Sequence, residues 1–235
     1  YTDKPDALTF MREWTSLVES KSGERGIFNR VAAKKQAAKN GRRKLETKNN
    51  KPIEWGTNPC SEIILRPYQF CNLSEVVVRA TDTLETLKTK VRHATILGTF
   101  QSCMTDFKYL RSIWKTNTQE ERLLGVSLTG IMDHNILNGS DGLAKTNRWL
   151  IELKQVAIDT NAEIAFEMGI QQSAAITCVK PSGTVSQLVD SASGIHARHN
   201  PHYVRTVRAD NKDPMTQFVI DSGIPAPSTH IEGNC

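Results

Sequence analysis

Thr57-Asn58-Pro59-Cys60-Ser61-Glu62-Ile63, with a second cysteine at Cys71, is the stretch from which the fold is read. It sets an amide, a thiol and a carboxylate at positions 58, 60 and 62. In an extended segment, side chains at i, i+2 and i+4 point to one side. Pro59 holds Asn58 away from helix and toward extended backbone. One face then offers an amide to hold a substrate, a sulfur for redox chemistry and a carboxylate for proton transfer. The plainer reading is a buried structural cysteine beside a strand-capping glutamate. The stretch alone favours the plainer reading, and the wider sequence overturns it.

The flanking sequence alternates helical and extended patterns. Upstream, Leu8, Phe10, Met11, Trp14, Leu17 and Val18 recur at helical spacing over residues 5–20, and Gly23 and Gly26 end that helix. Residues 30–44 form an Ala/Lys-rich helix, and Asn49-Asn50-Lys51-Pro52 forms a turn. Downstream, residues 70–79 predict a strand ending in Val76-Val77-Val78. Residues 83–104 predict an amphipathic helix with Leu84, Leu87, Val91 and Ile96 inward. Thr118-x-x-Glu121 has the form of a capping box, predicting a helix that opens there and runs to about Asn135. A loop over Asn138-Gly139-Ser140-Asp141-Gly142 precedes a helix over 144–168, closed by Gly169. Ala174–Val179 reads as a buried strand with a tight turn at Pro181-Ser182-Gly183-Thr184. Val204–Val207 reads as a further strand, and Asp213-Pro214 starts a helix to about Asp221. Strands alternating with helices predict an α/β fold with parallel strands.

Composition narrows the function classes. The 235 residues are 38% hydrophobic, enough for a core, and hold no apolar run of about 18 residues that would span a membrane. Tyr1-Thr2-Asp3-Lys4 reads as the start of a piece cut from a longer protein. The net charge of +5 is local. Residues 30–51 hold nine Lys/Arg against Glu46 alone, a net +8 that leaves −3 for the remainder. The run is read as a solvated helix end and loop, with polyphosphate or nucleic-acid binding as the alternative. Overall charge therefore does not predict a nucleic-acid partner. Five cysteines without Cys-x-x-Cys spacing point away from a disulfide scaffold or a zinc site, and toward a reducing cytoplasm. Cys103 and Cys178 read as small buried hydrophobes.

Four blocks, in order, carry a family resemblance. They are Glu24-Arg25-Gly26-Ile27-Phe28-Asn29-Arg30, then Thr57–Ile63 with Phe70-Cys71-Asn72-Leu73. Glu121-Arg122-Leu123-Leu124-Gly125-Val126-Ser127-Leu128-Thr129-Gly130 follows, and then Lys180–Ser186 with Ser193-Gly194-Ile195-His196. Together they resemble ribonucleotide reductases, most closely the adenosylcobalamin-dependent (class II) enzymes, over residues 5–210. The eleven-residue step from Cys60 to Cys71 is similar to that subclass. Ser61 and Ser74 stand where such proteins often carry glycine.

The resemblance implies a partial catalytic domain over 1–235, part of a ten-stranded α/β barrel with a central finger loop at 53–66. It implies Cys60 as the thiyl-bearing residue, Glu62 as general base for the 3′-hydroxyl, and Asn58 as a ribose-hydroxyl holder. Cys71 is implied as one thiol of the reducing pair, its partner lying upstream of this chain. Pro181, Ser182, Gly183, Thr184, Val185 and Ser186 are implied as a substrate-phosphate loop, since successive backbone N–H groups and hydroxyls after a strand cradle phosphate. His196 is implied to face the cofactor, adenosylcobalamin. His196, His199 and His202 are spaced by three, but Gly194, Asn200 and Pro201 disfavour a helix, and no metal site is expected. The implied partners are a ribonucleotide, dNTP or ATP effectors bound outside this chain, and a thioredoxin-type reductant. Neither a membrane nor a nucleic acid is expected. The piece is expected to be inactive alone. The alternative from another class is an inactive nucleotide-binding fragment or degenerate paralogue.

Overall fold

The computed structural model describes residues 4–22, 26–39, 43–46, 50–204 and 207–225. Glu24-Arg25 of the first block, Asn40-Gly41, Arg42, Lys48 and Asn49 lie outside them, as does the end of the chain from 226. The chain divides into two units, Tyr1–Arg198 and His199–Cys235.

In the first unit, α1 (Ala7–Ser20) begins where the Asp6 carboxylate accepts from the N–H groups of Leu8 and Thr9. The predicted apolar face exists, yet α1 buries none of its residues. α2 (Arg30–Lys39) stops short of the predicted 44 and buries Ala33 and Ala37 against Trp55. β1 (Gly56–Thr57) and β2 (Ile64–Leu65) pair antiparallel, Gly56 with Leu65 and Thr57 with Ile64. β3 (Asn72–Val77) leads into α3 (Leu84–Gln101) and α4 (Ser112–Glu121). β4 (Leu124–Thr129) lies parallel to β3 in register from Asn72↔Leu124 to Val77↔Thr129. α5 (Leu143–Glu167) then returns the chain to 174–178. That segment runs along the other edge of β4: Leu124 N–H donates to Ala175 O, Val126 N–H to Ile176 O and Cys178 N–H to Val126 O. Three parallel segments in sequence order, joined by helices, make a mixed α/β layer. Among the described residues it does not close into a barrel.

The helix over 118–135 is overturned. Arg122 takes left-handed backbone (φ 43°) and donates to Thr118 O, so Thr118 and Glu121 finish α4 rather than opening a helix. Residues 124–129 are instead the central strand. Residues 124–129 alternate Leu, Val and Leu with Gly, Ser and Thr, a strand period that the local capping pattern at Thr118 and Glu121 outweighed in the sequence reading.

One face of the layer packs on helices. Val76, Val78 and Val126 meet Leu87, Val91 and Ala94 of α3 and Trp149, Leu153 and Ala157 of α5. Leu87 is fully buried, and each such side chain contributes roughly 1.5–3 kcal/mol. The other face carries Gly125, where a Cβ would sit 2.4 Å from Leu73 Cδ2, 3.0 Å from Cys178 Sγ and 3.3 Å from Ile63 Cδ1. Glycine at 125 is what lets the loop between β1 and β2 lie on the strands.

In the second unit α6 is not involved; that four-residue helix (Val185–Leu188) belongs to the first. α7 (Pro214–Asp221) opens as predicted, with Asp213 accepting from Met215 N–H and Pro214 in the first turn. Val204 and Val207 are in no strand, and Arg205 and Thr206 between them lie outside the described residues.

Candidate active site

The β1–β2 pair closes the base of a loop over 58–63. Its inside is tightly bonded. Asn58 N–H donates to Ile63 O at 3.3 Å, and Ser61 N–H to Asn58 O at 3.0 Å. Ile63 N–H donates to Asn58 Oδ1 at 3.1 Å. Half of the Asn58 amide therefore holds the loop's own shape, and its nitrogen is not used in doing so. The expected extended run with three side chains on one face gives way to a turn: Ser61 sits at φ 63°, in left-handed backbone. As a result Cys60 is exposed while the Glu62 side chain is only 4% exposed.

Left-handed backbone costs an L-residue about 1–2 kcal/mol, part of which glycine returns through its greater unfolded-state freedom. Ser61→Gly is expected to stabilise the chain by about 0.5 kcal/mol, read as a small rise in urea midpoint with unchanged slope. A lower midpoint would show that the contact of Ser61 Oγ with Thr57 Oγ1 (3.4 Å) matters more than the backbone.

Lys180 rejoins the two separated groups. Its ammonium lies 3.7 Å from Cys60 Sγ and 3.3 Å from Glu62 Oε1. The Glu62 contact is an ion pair without hydrogen-bond geometry, and both carboxylate oxygens are buried with no hydrogen-bond partner among the described residues. Two thiols share this neighbourhood. Burial pushes Cys71 up from its ordinary value, the Glu62 charge adds to it, and Lys180 opposes. Burial pushes Cys178 up to about 12, with Glu62 and Cys71 adding and Lys180 opposing. Both are therefore neutral thiols near pH 7. Cys178, read from sequence as packing, lies with Cys71 around Glu62.

The turn after Lys180 has Gly183 at φ 58° and Ser186 Oγ donating to Gly183 O at 2.8 Å. Ser182 is 8% exposed and its hydroxyl has no partner among the described residues. A strap over 190–198 secures this turn. Gly194 N–H donates to Thr129 Oγ1, Ala192 N–H to Asp133 Oδ2, and Arg198 binds both Asp133 and Asp190. A Cβ on Gly194 would stand 2.9 Å from Lys180 O, so that glycine permits the strap's close approach. His196 is exposed, its backbone N–H donating to Ser193 O.

Over 223 residues the chain is 27% identical to an adenosylcobalamin-dependent ribonucleoside-triphosphate reductase of Lacticaseibacillus paracasei, covering 85% of this chain and 29% of that protein. Over 183 residues it is 28% identical to the reductase of the same name from Euglena gracilis, covering 77% of this chain and 23% of that protein. The chain is thus similar to part of two adenosylcobalamin-dependent ribonucleoside-triphosphate reductases. It spans less than a third of the length of these two relatives. No family model matches it. A solved structure of a B-12 dependent (class II) ribonucleotide reductase superposes with a TM-score of 0.48 at 25% identity, over 61% of this chain and 23% of that one.

The basic run 30–51 is partly structural. Arg43 is buried and bonded to Glu121, and Lys44 pairs with Glu120 at 2.9 Å. Burial pulls the Arg43 guanidinium below its ordinary value, and the charge of Glu121 pushes back. Lys180 was the residue sequence reasoning passed over. Its signal was its place: a lone cation at a strand end, directly before a turn-forming Pro-Ser-Gly-Thr.

Proposed function

We propose that this chain is a catalytic segment of an adenosylcobalamin-dependent ribonucleotide reductase, one that replaces the ribose 2′-hydroxyl of ribonucleoside di- or triphosphates by hydrogen. The observation that supports this most is the exposed Cys60 thiol, tied through Lys180 to the buried Glu62 carboxylate, with Cys71 alongside. The layer of β3, β4 and 174–178 is proposed as part of a ten-stranded α/β barrel. The loop over 53–66 then enters it as the finger.

In this reading a sulfur radical at Cys60 takes hydrogen from C3′, re-forming the S–H bond and leaving a carbon radical. Glu62 accepts the 3′-hydroxyl proton while one proton from the reducing thiol pair lets the 2′-hydroxyl leave as water; the pair's second proton and two electrons go to C2′, and Cys60 and Glu62 then return their hydrogen and proton to C3′ and its oxygen. Asn58 holds a ribose hydroxyl through the amide nitrogen that the loop does not use. Cys71 and a thiol outside this chain supply two electrons and two protons by closing a disulfide. Pro181–Ser186 cradle the phosphates, with the Ser182 hydroxyl and the backbone at Gly183 available to them. Exposure of Cys60 fits a bulky cofactor held mainly by other parts of the full protein, and His196 is the proposed cofactor-facing residue of this chain. When bound, adenosylcobalamin supplies the initiating radical by homolysis of its cobalt–carbon bond. Effector dNTP or ATP bound elsewhere, a thioredoxin-type reductant and a cytoplasmic setting complete the proposal. No helix among the described residues is long and apolar enough to cross a membrane.

The test uses the full-length reductase with a ribonucleotide and a dithiol. Deoxyribonucleotide formation is expected to require added adenosylcobalamin and to continue without oxygen or iron. Turnover supported by a di-iron subunit without cobalamin would overturn the cofactor. Nucleotide binding without product under either condition would favour a degenerate, inactive relative.

A further inference from the structure

Lys180 stands where three parts of the site meet. It follows the segment that runs along β4, it precedes the Pro181–Ser186 turn, and its backbone carbonyl lies close against the strap at Gly194. Its side chain is 26% exposed and reaches two groups on the finger loop, Cys60 Sγ at 3.7 Å and Glu62 Oε1 at 3.3 Å. Glu62 is 4% exposed and has no hydrogen bond to either oxygen among the described residues. A buried carboxylate without donors costs several kcal/mol unless a cation stands beside it. Lys180 is the cation that does. The other titratable groups of this neighbourhood are the thiols of Cys71, ahead of β3, and Cys178, beyond β4, neither of which can replace it.

We propose that Lys180 is a positioning residue of the site: its ammonium group, in reach of both Glu62 and Cys60, compensates the buried carboxylate and ties it to the exposed thiol. The idea deepens the reductase reading and rests on it for the meaning of Glu62 as a base. Burial works against the charge on Lys180. Its contacts with Glu62, and the charges of Glu62 and Cys60, outweigh burial and raise the ammonium above its ordinary value. The ammonium thus stays protonated at neutral pH. Its place next to the proposed phosphate turn adds a consequence. A bound phosphate would compete with Glu62 for the same ammonium, so substrate binding would release the carboxylate at the moment it is needed.

The test needs no turnover, so its failure is separable from failure of the reductase reading. Alkylation of Cys60 by iodoacetamide is followed in this chain by peptide-resolved mass spectrometry across pH. In Lys180→Met the pH at half-maximal rate is expected to rise by about one unit, the usual effect of losing an opposite charge within about 4–6 Å. Lys180→Arg restores the original midpoint. In a Glu62→Gln background Lys180→Met produces a smaller rise, because the uncompensated carboxylate is gone. Added inorganic phosphate moves the wild-type midpoint and leaves that of Lys180→Met in place. Circular dichroism checks that each variant is folded, and Lys180→Gln serves if the methionine variant is not. Equal midpoints in wild type and the folded neutral variants would overturn the proposal. An equal rise with and without Glu62 would overturn the link through the carboxylate.

Discussion

On the proposed reductase reading, Cys60→Ser in the full-length protein is expected to lower deoxyribonucleotide formation by roughly 10⁴-fold or more, the scale seen when an essential nucleophile or radical carrier is removed. The reason is chemical rather than steric. A thiol S–H bond is comparable in strength to the activated C3′–H bond, so hydrogen can pass either way between them. A hydroxyl O–H bond is far stronger, and a serine at 60 can neither be converted to its radical nor return hydrogen to carbon. The loop itself is indifferent to the change. Its hydrogen bonds run through Asn58, Ser61 and Ile63, and Cys60 is exposed. Ribonucleotide affinity is therefore expected to stay within about threefold, which corresponds to less than about 0.7 kcal/mol. Product formation by the serine variant at more than a trace would remove Cys60 from the radical role. A parallel loss of binding would show that the substitution had damaged the loop instead.

The sequence carried much of the fold. The strand at 70–79 appears as β3, the helices over 83–104 and 144–168 appear as α3 and α5, and Asp213-Pro214 opens α7. Those elements have one buried face, so their periodicity is visible. What the sequence reading missed was β4, whose Leu124–Thr129 alternation was absorbed into the helix opened at Thr118. The misreading begins at Thr118 and Glu121. A capping box is judged by local spacing, but Glu121 is fixed by Arg43, 78 residues away. Within the site, Asn58, Cys60 and Glu62 were legible as a pattern, but their geometry was not. Alternation predicted one shared face, whereas the left-handed Ser61 turns Cys60 outward and Glu62 inward. Lys180 and Cys178 could not be placed beside them, since their contacts span more than a hundred residues.

Glu121→Ala is expected to destabilise the chain by about 3–5 kcal/mol, the cost of breaking a buried ion network by removing one sign of charge. Glu121 is 2% exposed. Its Oε2 accepts from Arg43 Nε at 3.0 Å and from Gln69 Nε2 at 2.7 Å, and its Oε1 lies 3.4 Å from Arg66 Nε. Deleting the carboxylate leaves two guanidinium groups, 3% and 6% exposed, facing each other with little water to screen them. Arg43 keeps its place over the Trp55 ring at 4.5 Å, and Arg66 keeps Glu120 at 2.9 Å, so the cost falls short of two wholly unpaired charges. Arg66 and Gln69 lie between β2 and Cys71, and Arg43 and Trp55 lie before β1. The network therefore grips both flanks of the loop over 58–63 and fixes them to the end of α4. A loss of this size corresponds to a fall in melting temperature on the order of 10 °C for a chain of this length. Glu121→Gln, which keeps the acceptor oxygen but not the charge, should lose less. If the alanine variant melts within about 1 °C of wild type, the network contributes no net stability, and the loop over 58–63 is held by packing such as that of Ile63 and Trp55.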